Sequence, residues 1–305
     1  MRRVSDVGEF GLIERIARLV PRRPGPGVRV GIGDDAAVLG VRRGEDLVAT
    51  TDAFVAGVHF RLDQETPRTA GRRAAVGCLS DLAAMGARPL GLLLALAVPA
   101  RTPLATVLDF ARGIAGEAAR HGTPLVGGNV ARASELSATL TALGAVARGR
   151  ALRRDRGRAG DRLFVTGALG RSAFERARGS VRHVGAPRLR AGQRLRGVRG
   201  IGACIDVSDG LVADLGQLCR ASRVAARIEP ARVPRAAARG GRVPERLALA
   251  GGEDYELLFS VRPAGPGAAA LRRRLGLPVT EIGRLEAGPA RVRGIPAGPG
   301  GFRHF

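Results

Sequence analysis

The sequence predicts a mixed α/β (α+β) protein of two domains, and three observations support that prediction. Apolar residues recur at helical spacing in Phe10–Val20, whereas Leu136–Val146 alternates apolar and polar residues with the period of a strand. At 305 residues the chain is long enough for two domains of ordinary size. The Arg- and Gly-rich stretch Arg148–Arg162 marks the predicted junction, which gives an N-terminal domain over 1–148 and a C-terminal domain over 149–305.

Helix boundaries are indicated most clearly in the first domain. Two Thr-Pro pairs, at 66–67 and 102–103, predict helix starts, because Thr is a good N-cap and Pro fits the first helical position. Gly86 and Gly122 stand where helix-terminating glycines are expected. Between these helices Leu90–Val98 is apolar and bounded by prolines, which predicts a buried strand.

The second domain is predicted to continue the alternation of strands and helices. Its expected elements are a strand over Leu163–Gly167, a helix after Pro187, a strand ending near Asp206, a helix capped by Ser208 or Asp209, a strand after Glu253 and Asp254, an amphipathic segment over Leu271–Leu275 and a strand over Val279–Ile282.

The formal charge of +23 raises the question of nucleic-acid binding. The basic residues are Arg throughout, with no Lys, and they are spread along the chain. Aromatic residues make up only 3%. Nucleic-acid binders usually concentrate charge on one face and add aromatic stacking residues, so no specific nucleic-acid partner is expected. The charge should nevertheless attract anions such as nucleotides.

Cysteine content and hydropathy predict a cytoplasmic protein. The three cysteines, Cys78, Cys204 and Cys219, lack the paired spacing of a disulfide frame or a zinc site. No apolar run approaches the roughly 20 residues that a membrane-spanning helix needs. Arg2 and Arg3 are not followed by an apolar stretch, so no secretory signal is predicted.

Acidic residues recur at the ends of predicted strands and on an apolar helix face. The acids in such positions are Asp34, Asp35, Asp52, Asp81, Asp206 and Asp209. If they converge, like charges about 4 Å apart repel by roughly 4 kcal/mol per pair at an effective dielectric of 20. Several Mg²⁺ ions would compensate that repulsion, and metal ions held by aspartates suit phosphoryl transfer. Because the chain contains no Lys, a Walker site and a protein-kinase site are both excluded.

Each of these positions also has a simpler interpretation. Gly33-Asp34-Asp35 could be a surface turn, and Asp81 could form a salt bridge to an arginine. Ser208 and Asp209 could only cap a helix, and Glu253-Asp254 could be a turn with a charge at the strand edge. His59, alone between Val58 and Phe60, could be purely structural.

Seven motifs follow one another along the chain: Gly8-Glu9-Phe10, Gly31-Ile32-Gly33-Asp34-Asp35, Thr51-Asp52 with Gly57-Val58-His59-Phe60, Leu79-Ser80-Asp81-Leu82-Ala83-Ala84-Met85-Gly86, Asp206-Val207-Ser208-Asp209-Gly210-Leu211, Gly251-Gly252-Glu253-Asp254-Tyr255-Glu256 and Gly301-Phe302-Arg303-His304-Phe305. Together, and in this order from end to end, they resemble the thiamine-monophosphate kinase family.

The resemblance implies the fold of aminoimidazole ribonucleotide synthetase. In that fold the N-terminal domain binds ATP and Mg²⁺ and forms a β-barrel across a homodimer, and a C-terminal α/β domain closes the active site. It also implies direct in-line transfer of the ATP γ-phosphoryl group to thiamine monophosphate, giving thiamine diphosphate, with several Mg²⁺ ions.

The resemblance further implies roles for individual residues. Those matching metal ligands are Asp35, Thr50, Thr51, Asp52, Asp81, Asn129, Asp206 and Asp209, of which Asp35, Asp52, Asp81 and Asp209 would be catalytic. Those matching nucleotide contacts are Gly128, Asn129, Arg154 and Ser208. Those matching substrate contacts are His59, Glu253 and Phe302.

Two departures from the family pattern leave alternatives open. Asn129 stands where the family has an Asp ligand, which should weaken one metal site, and Arg171 stands where the family usually has Asp. One alternative is a catalytically impaired relative that binds nucleotide or thiamine phosphate in a regulatory role. Another is a related kinase with a different small phosphorylated substrate.

Overall fold

Helices and strands alternate along the chain, and the computed structural model describes them over residues 3–20, 28–30, 38–238 and 241–295. The chain divides into two compact units. The first comprises Met1–Leu82, Arg88–Gly149 and Ser180–Val184, and the second comprises Ala83–Ala87, Arg150–Gly179 and Gly185–Phe305.

Most of the first unit is built from three helices and six strands. In chain order these are α1 (Gly8–Ala17), β1 (Val28–Val30), β2 (Val38–Leu39), β3 (Glu45–Val55), α2 (Pro67–Ala84), β4 (Arg88–Val98), α3 (Leu104–Arg120), β5 (Leu125–Arg132) and β6 (Ser137–Ala147). β1 and β2 form an antiparallel pair, and the other strands form a sheet in the order β3-β6-β4-β5.

The register of this sheet places residues in rows that run across all four strands. Asp52 on β3 lies opposite Leu140 on β6, Leu140 lies opposite Leu94 on β4, and Leu94 is level with Gly128 on β5. Leu140 and Leu94 are buried, so this row lies on the core side of the sheet. α2 packs there, since Cys78 Sγ lies 3.4 Å from the carbonyl oxygen of Leu140.

The two Thr-Pro helix starts turn out differently. Thr66 Oγ1 accepts a hydrogen bond from the backbone N–H of Thr69 over 3.1 Å, so the predicted cap of α2 is confirmed. α3 begins one residue later than predicted, with Pro103 at the N-cap and no side-chain cap. The prediction of Thr102 as its cap is therefore wrong, because the extended backbone of Pro103 lies between the threonine and the helix.

Two glycines let α2 and α3 approach until their backbones touch. A Cβ atom at Gly71 would lie 2.0 Å from the carbonyl oxygen of Phe110, and one at Gly113 would lie 2.2 Å from that of Arg68. Gly116, one turn further along α3, has no heavy atom within 4 Å of such a position. The crossing point is thus confined to Gly71 and Gly113.

The second unit consists mainly of five helices and eight strands. In chain order these are β7 (Arg162–Thr166), α4 (Arg171–Arg176), α5 (Leu189–Arg196), β8 (Ile201–Val207), α6 (Leu211–Ser222), β9 (Ala225–Ile228), β10 (Ala237–Ala238), β11 (Gly241–Arg242), α7 (Glu245–Ala250), β12 (Glu256–Val261), α8 (Ala268–Leu275), β13 (Val279–Glu286) and β14 (Val292–Arg293).

Six of these strands form one sheet in the order β14-β9-β13-β7-β12-β8. Its core joins apolar residues of β7, β8 and β12 to the buried stripe of α6, whose members include Leu211, Leu215 and Leu218. The mixed α/β prediction is confirmed, and the helices and strands expected in this half are present with boundaries that differ by a few residues.

All three cysteines are buried and none forms a disulfide, in agreement with the prediction. Burial raises the pKa of the Cys219 thiol to about 11. Within the described residues, none of the helices has both the length and the apolar character required to cross a membrane.

The α2–α3 crossing can be tested with a pair of substitutions on one helix. Gly113→Ala should lower the free energy of unfolding by about 1–3 kcal/mol, because the new methyl group must push the helices apart. Gly116→Ala should leave it unchanged or raise it by up to about 1 kcal/mol, because the site is open and Ala favours a helix. Urea unfolding of both variants measures the difference. Equal effects at the two positions would contradict the close crossing.

Candidate active site

Three oxygen-bearing side chains of the first unit gather where α2 crosses β3. Thr50 and Asp52 project from β3 on the side where α2 packs, since the period of two separates them from Thr51. Thr50 Oγ1 donates a hydrogen bond to Asp81 Oδ2 over 2.5 Å. Asp81, which the sequence places on an apolar helix face, is therefore held by a neutral donor from the sheet.

Asp52 and Asp81 both lie near the Cys78 thiol. Burial is the main cause that raises the pKa of Cys78, and the charges of Asp52 and then of Asp81 raise it further. Two carboxylates and a hydroxyl thus share one region of the first unit. All three supply oxygen, which is the donor type that Mg²⁺ prefers.

The register separates two other predicted ligands from this group. Thr51 lies opposite Thr141, whose hydroxyl is 3.2 Å from its own, in the row next to that of Asp52. Asn129 is level with Ala95 on β4, three strand positions away from β3. At about 4.8 Å per strand that separation is about 14 Å along the sheet. Asn129 and Asp52 therefore belong to different groups of side chains.

Gly128 is held in a conformation that only glycine adopts easily. Its φ is +154°, and a Cβ atom there would lie 1.9 Å from the carbonyl oxygen of Leu94. The close approach of β5 to β4 thus depends on the absence of a side chain. Gly128 and Asn129 are both exposed, so a ligand could reach this segment.

His59 closes a tight turn through its ring. Its Nδ1 accepts a hydrogen bond from the backbone N–H of Val55 over 3.1 Å, so the proton of the neutral imidazole is on Nε2. Arg73 donates to the carbonyl oxygen of His59 over 3.0 Å, lies over the ring of Phe54 and forms a buried ion pair with Glu65. His59 therefore has the structural role that was suggested for it, and the hydrogen bond from Val55 fixes the orientation of its ring.

In the second unit the predicted acids lie at the end of β8. Asp206 is 4% exposed, and the chain turns after it through residues 208–210 into α6. The carboxylate of Asp214, on the first turns of α6, faces back to this turn. Its Oδ2 accepts hydrogen bonds from the backbone N–H groups of Ser208, Asp209 and Gly210 at 3.0, 3.1 and 3.1 Å.

This arrangement corrects the predicted cap of α6. The N-cap is Gly210, with a φ of +119° and no side-chain hydrogen bond, and not Ser208 or Asp209. The N–H groups of the turn donate to Asp214, which lies within α6, so the helix needs no cap from the residues before it. The side chains of Ser208 and Asp209 do not cap this helix.

Asp214 was not singled out from the sequence, although a signal for it exists. It lies three residues after Leu211 and four before Leu218, on the buried stripe of the helix. Burial is the main cause that raises the pKa of Asp214 to about 8, and the charges of Asp206 and Asp209 add to it. The same reasoning that selected Asp81 would have selected Asp214.

The segment 253–255 is strained and is bound directly to the end of β8. Glu253 and Tyr255 have φ values of +67° and +54°, which are uncommon for residues other than glycine. Their N–H groups donate to the carbonyl oxygens of Ser208 and Val207 at 2.7 and 2.8 Å. The two acid-bearing motifs of this unit are therefore one structural feature.

Between these two strained residues, Asp254 is a second buried acid that the sequence did not single out as functional. Both of its carboxylate oxygens accept the N–H of Gly170, at 2.9 and 2.8 Å. Burial raises the pKa of Asp254 to about 8, although the Gly170 hydrogen bond opposes the rise. Glu253 forms an ion pair with Arg176 over 2.6 Å.

The remaining predicted residues divide into two groups. Arg154 is exposed, and its guanidinium makes no hydrogen bond or ion pair with the described residues. Arg171 begins α4 and pairs with Glu175. Asp34, Asp35 and Phe302 lie outside the described residues. Over the described ranges, no group of three or more His, Cys, Asp or Glu side chains is arranged to hold a metal ion.

Comparison with known proteins connects this site to a family. Residues 33–146 match the family model described as AIR synthase related protein, N-terminal domain. The thiamine-monophosphate kinase of Escherichia coli (strain K12) is 40% identical over 301 residues, which cover 92% of this chain and 91% of that protein. The chain belongs to the thiamine-monophosphate kinase family.

Solved structures show the same relationship for the fold. The thiamine-monophosphate kinase of Stenotrophomonas maltophilia K279a is 35% identical, covers 94% of this chain and 97% of its own, and has a TM-score of 0.79. A structure described as AaThiL complexed with AMPPCP and TMP is 28% identical, covers 100% and 99% of the two chains, and has a TM-score of 0.74. The predicted fold of the thiamine-monophosphate kinase family is confirmed.

Asp254 gives this family member a testable dependence of stability on pH. Its pKa is 3.8 in an unfolded chain and about 8 in the fold, so between these values only the folded state keeps the proton. The free energy of unfolding should therefore fall as pH rises from about 4 to 8. Asp254→Asn removes the titrating group. As pH rises over that range, the Tm of the wild type should therefore fall by several degrees relative to the Tm of this variant.

The control is Asp63→Asn, at an exposed acid paired with Arg61. Thermal unfolding of the three proteins at unit steps of pH provides the measurement. Parallel curves for wild type and Asp254→Asn would show that Asp254 is ionised throughout, against its placement as a neutral buried acid.

Proposed function

We propose that this protein transfers the γ-phosphoryl group of ATP to thiamine monophosphate, forming thiamine diphosphate by direct in-line displacement. The observation that carries the proposal is the end-to-end relationship to thiamine-monophosphate kinases, at 40% identity over 92% of the chain. The related structure with AMPPCP, an ATP analogue, and TMP supports the same pair of ligands for this chain.

Several Mg²⁺ ions belong to this proposal, and the donor chemistry of the acids fits them. In the first unit Thr50, Asp52 and Asp81 would hold Mg²⁺, and in the second unit Asp206 and Asp209 would do so. Bound Mg²⁺ would neutralise charge on the phosphates during transfer. Asp35, Thr51 and Asn129 complete the proposed set of ligands.

Two residues would also orient these acids, and one of them, Thr50, is itself a proposed ligand. Thr50 fixes one oxygen of Asp81, and Asp214 holds the turn that carries Ser208 and Asp209. Positioning of this kind matters because phosphoryl transfer depends mainly on alignment and charge neutralisation.

Nucleotide and substrate contacts complete the proposal. We assign ATP to the exposed Gly128–Asn129 segment, to Arg154 and to Ser208. We assign thiamine monophosphate to His59, Glu253 and Phe302. The proposal also includes an N-terminal domain over 1–148 that binds ATP and Mg²⁺ and a C-terminal domain over 149–305 that closes the active site. It further includes a homodimer with a shared β-barrel and a cytoplasmic location.

A second candidate is a relative that binds these ligands but transfers phosphate poorly. Asn129 favours it, because an Asn oxygen can ligate Mg²⁺ but brings no charge. The distance of Asn129 from Asp52 along the sheet argues that such a loss would affect one ion and leave the Asp52–Asp81 group intact.

The test measures thiamine diphosphate formation by purified protein with ATP, Mg²⁺ and thiamine monophosphate. We expect turnover in the wild type and a loss of about 100-fold or more in Asp81→Asn, because a charged ligand is removed. Asp63→Asn is the matched control and should retain full turnover, since Asp63 is an exposed surface acid. Unchanged turnover in Asp81→Asn would refute its role as a ligand.

Asn129→Asp separates the two candidate functions. Turnover in the wild type shows that a neutral side chain suffices at this position. An inactive wild type with an active Asn129→Asp variant would instead favour the binding role. Inactivity of both proteins, with thermal stabilisation by ATP retained, would point to another phosphorylated substrate.

A further inference from the structure

Two segments of the second unit contain arginines but no acidic residue. Residues 176–205 include eight Arg and no Asp or Glu, and residues 257–280 include four Arg and no Asp or Glu. The helices within these segments, α5 and α8, pack against each other. Arg194 on α5 donates to the carbonyl oxygen of Leu275 at the end of α8, over 3.1 Å. The fold thus brings two acid-free stretches to one surface.

Seven arginines on this surface have no carboxylate partner among the described residues. They are Arg190, Arg194, Arg196, Arg199, Arg272, Arg273 and Arg274, and together they are called the α5–α8 arginine surface. Some arginines elsewhere in the same unit are paired, since Arg153, Arg227 and Arg232 contact Asp155, Glu286 and Glu229 although all three are largely exposed.

Some members of the surface have a structural task. Arg194 donates to the carbonyl oxygen of Leu275, the last residue of α8, and Arg272 donates to that of Val279 on β13. Arg190, Arg199 and Arg273 make no such contact with the residues that the structure describes, and all three are exposed. Helix stabilisation therefore explains only part of the surface, and the rest is positive charge presented to solvent.

The composition of the surface selects the chemistry of its partner. Planar guanidinium groups bind phosphate oxygens in pairs of hydrogen bonds. The two segments contribute only one aromatic residue, Phe259, which is buried, so bases have no ring to stack on. An eight-residue helix is about 12 Å long, and a duplex carries about seven phosphate charges over that length. These features fit a phosphate backbone held in double-helical form.

We propose that the α5–α8 arginine surface binds the phosphate backbone of a nucleic-acid duplex without reading its sequence. The sequence argument against a nucleic-acid partner rested on scattered arginines and on few aromatic residues. On this surface the fold brings arginines together, and contact with a duplex backbone needs no aromatic stacking residue. Binding here is an activity separate from phosphoryl transfer, because none of the seven arginines belongs to the proposed active site.

The test compares two triple variants that remove the same charge. Arg190→Gln/Arg199→Gln/Arg273→Gln alters the surface, and Arg43→Gln/Arg101→Gln/Arg112→Gln alters three exposed arginines of the first unit. Fluorescence anisotropy of a labelled 24-base-pair DNA duplex of mixed sequence is recorded from 50 to 300 mM NaCl. The slope of log Kobs against log[NaCl] should fall by about three in the surface variant and by less than one in the control.

The outcomes distinguish the surface from net charge. Equal losses in both variants would overturn the proposal in favour of general attraction, and no binding by the wild type would overturn it outright. Stronger binding of poly-glutamate than of the duplex at equal salt would assign the surface to acidic proteins instead. An RNA duplex should bind within a few-fold of DNA, because only the backbone is contacted.

Folding and chemistry are checked independently of binding. Arg190→Lys/Arg199→Lys/Arg273→Lys keeps the charge and should restore most of the salt slope. If the Gln triple variant unfolds, Arg190→Gln alone should lower the slope by about one, compared with Arg43→Gln. Thiamine-phosphate kinase turnover should stay the same in every variant that folds.

Discussion

Compensation of buried negative charge is the constraint on which both units depend. A carboxylate that leaves water must be paired, hydrogen-bonded or neutralised by a proton. The chain contains no Lys, so its permanent cations are all guanidinium groups. Glu65, Glu256 and Asp161 meet this requirement through Arg73, Arg188 and Arg262. These arginine-paired acids support the fold.

Asp214 and Asp254 meet the requirement in a different way. They receive backbone N–H groups, and burial raises the pKa of each to about 8. Both acids hold their turns, at Ser208–Gly210 and at Gly170, through backbone hydrogen bonds and not through an arginine. The positioning groups of the proposed active site are therefore distinguished from the structural acids by the type of partner that holds them.

Local patterns predicted the elements well, because helical period, strand period and Thr-Pro starts are short-range signals. α2 begins at Pro67 with the expected cap. In β6 the apolar residues of 137–142 are buried, and the polar residues between them are more exposed. The positions of side chains across strands could not be predicted in this way. The 14 Å along the sheet between Asn129 and Asp52 follows from strand order, which joins residues far apart in sequence.

Sequence motifs identify the residues proposed for the site. They do not identify the hydrogen-bond partners that the fold brings to those residues. Asp81 could be selected as a carboxylate on an apolar helix face, but its bond to Thr50 depends on how α2 packs on the sheet. The cap of α6 was misassigned because the carboxylate that binds the turn comes from inside the helix. Left-handed Glu253 and Tyr255 have no local signature, since glycine is the usual residue at such angles.

The burial of every cysteine has a practical consequence for handling this protein. Thiols react as thiolates, and with a pKa of about 11 Cys219 is almost entirely protonated at neutral pH. Burial raises the pKa of Cys78 and Cys204 as well. The folded chain is therefore protected from oxidation and alkylation without a disulfide. Modification by a thiol reagent reports the fraction of molecules that have opened.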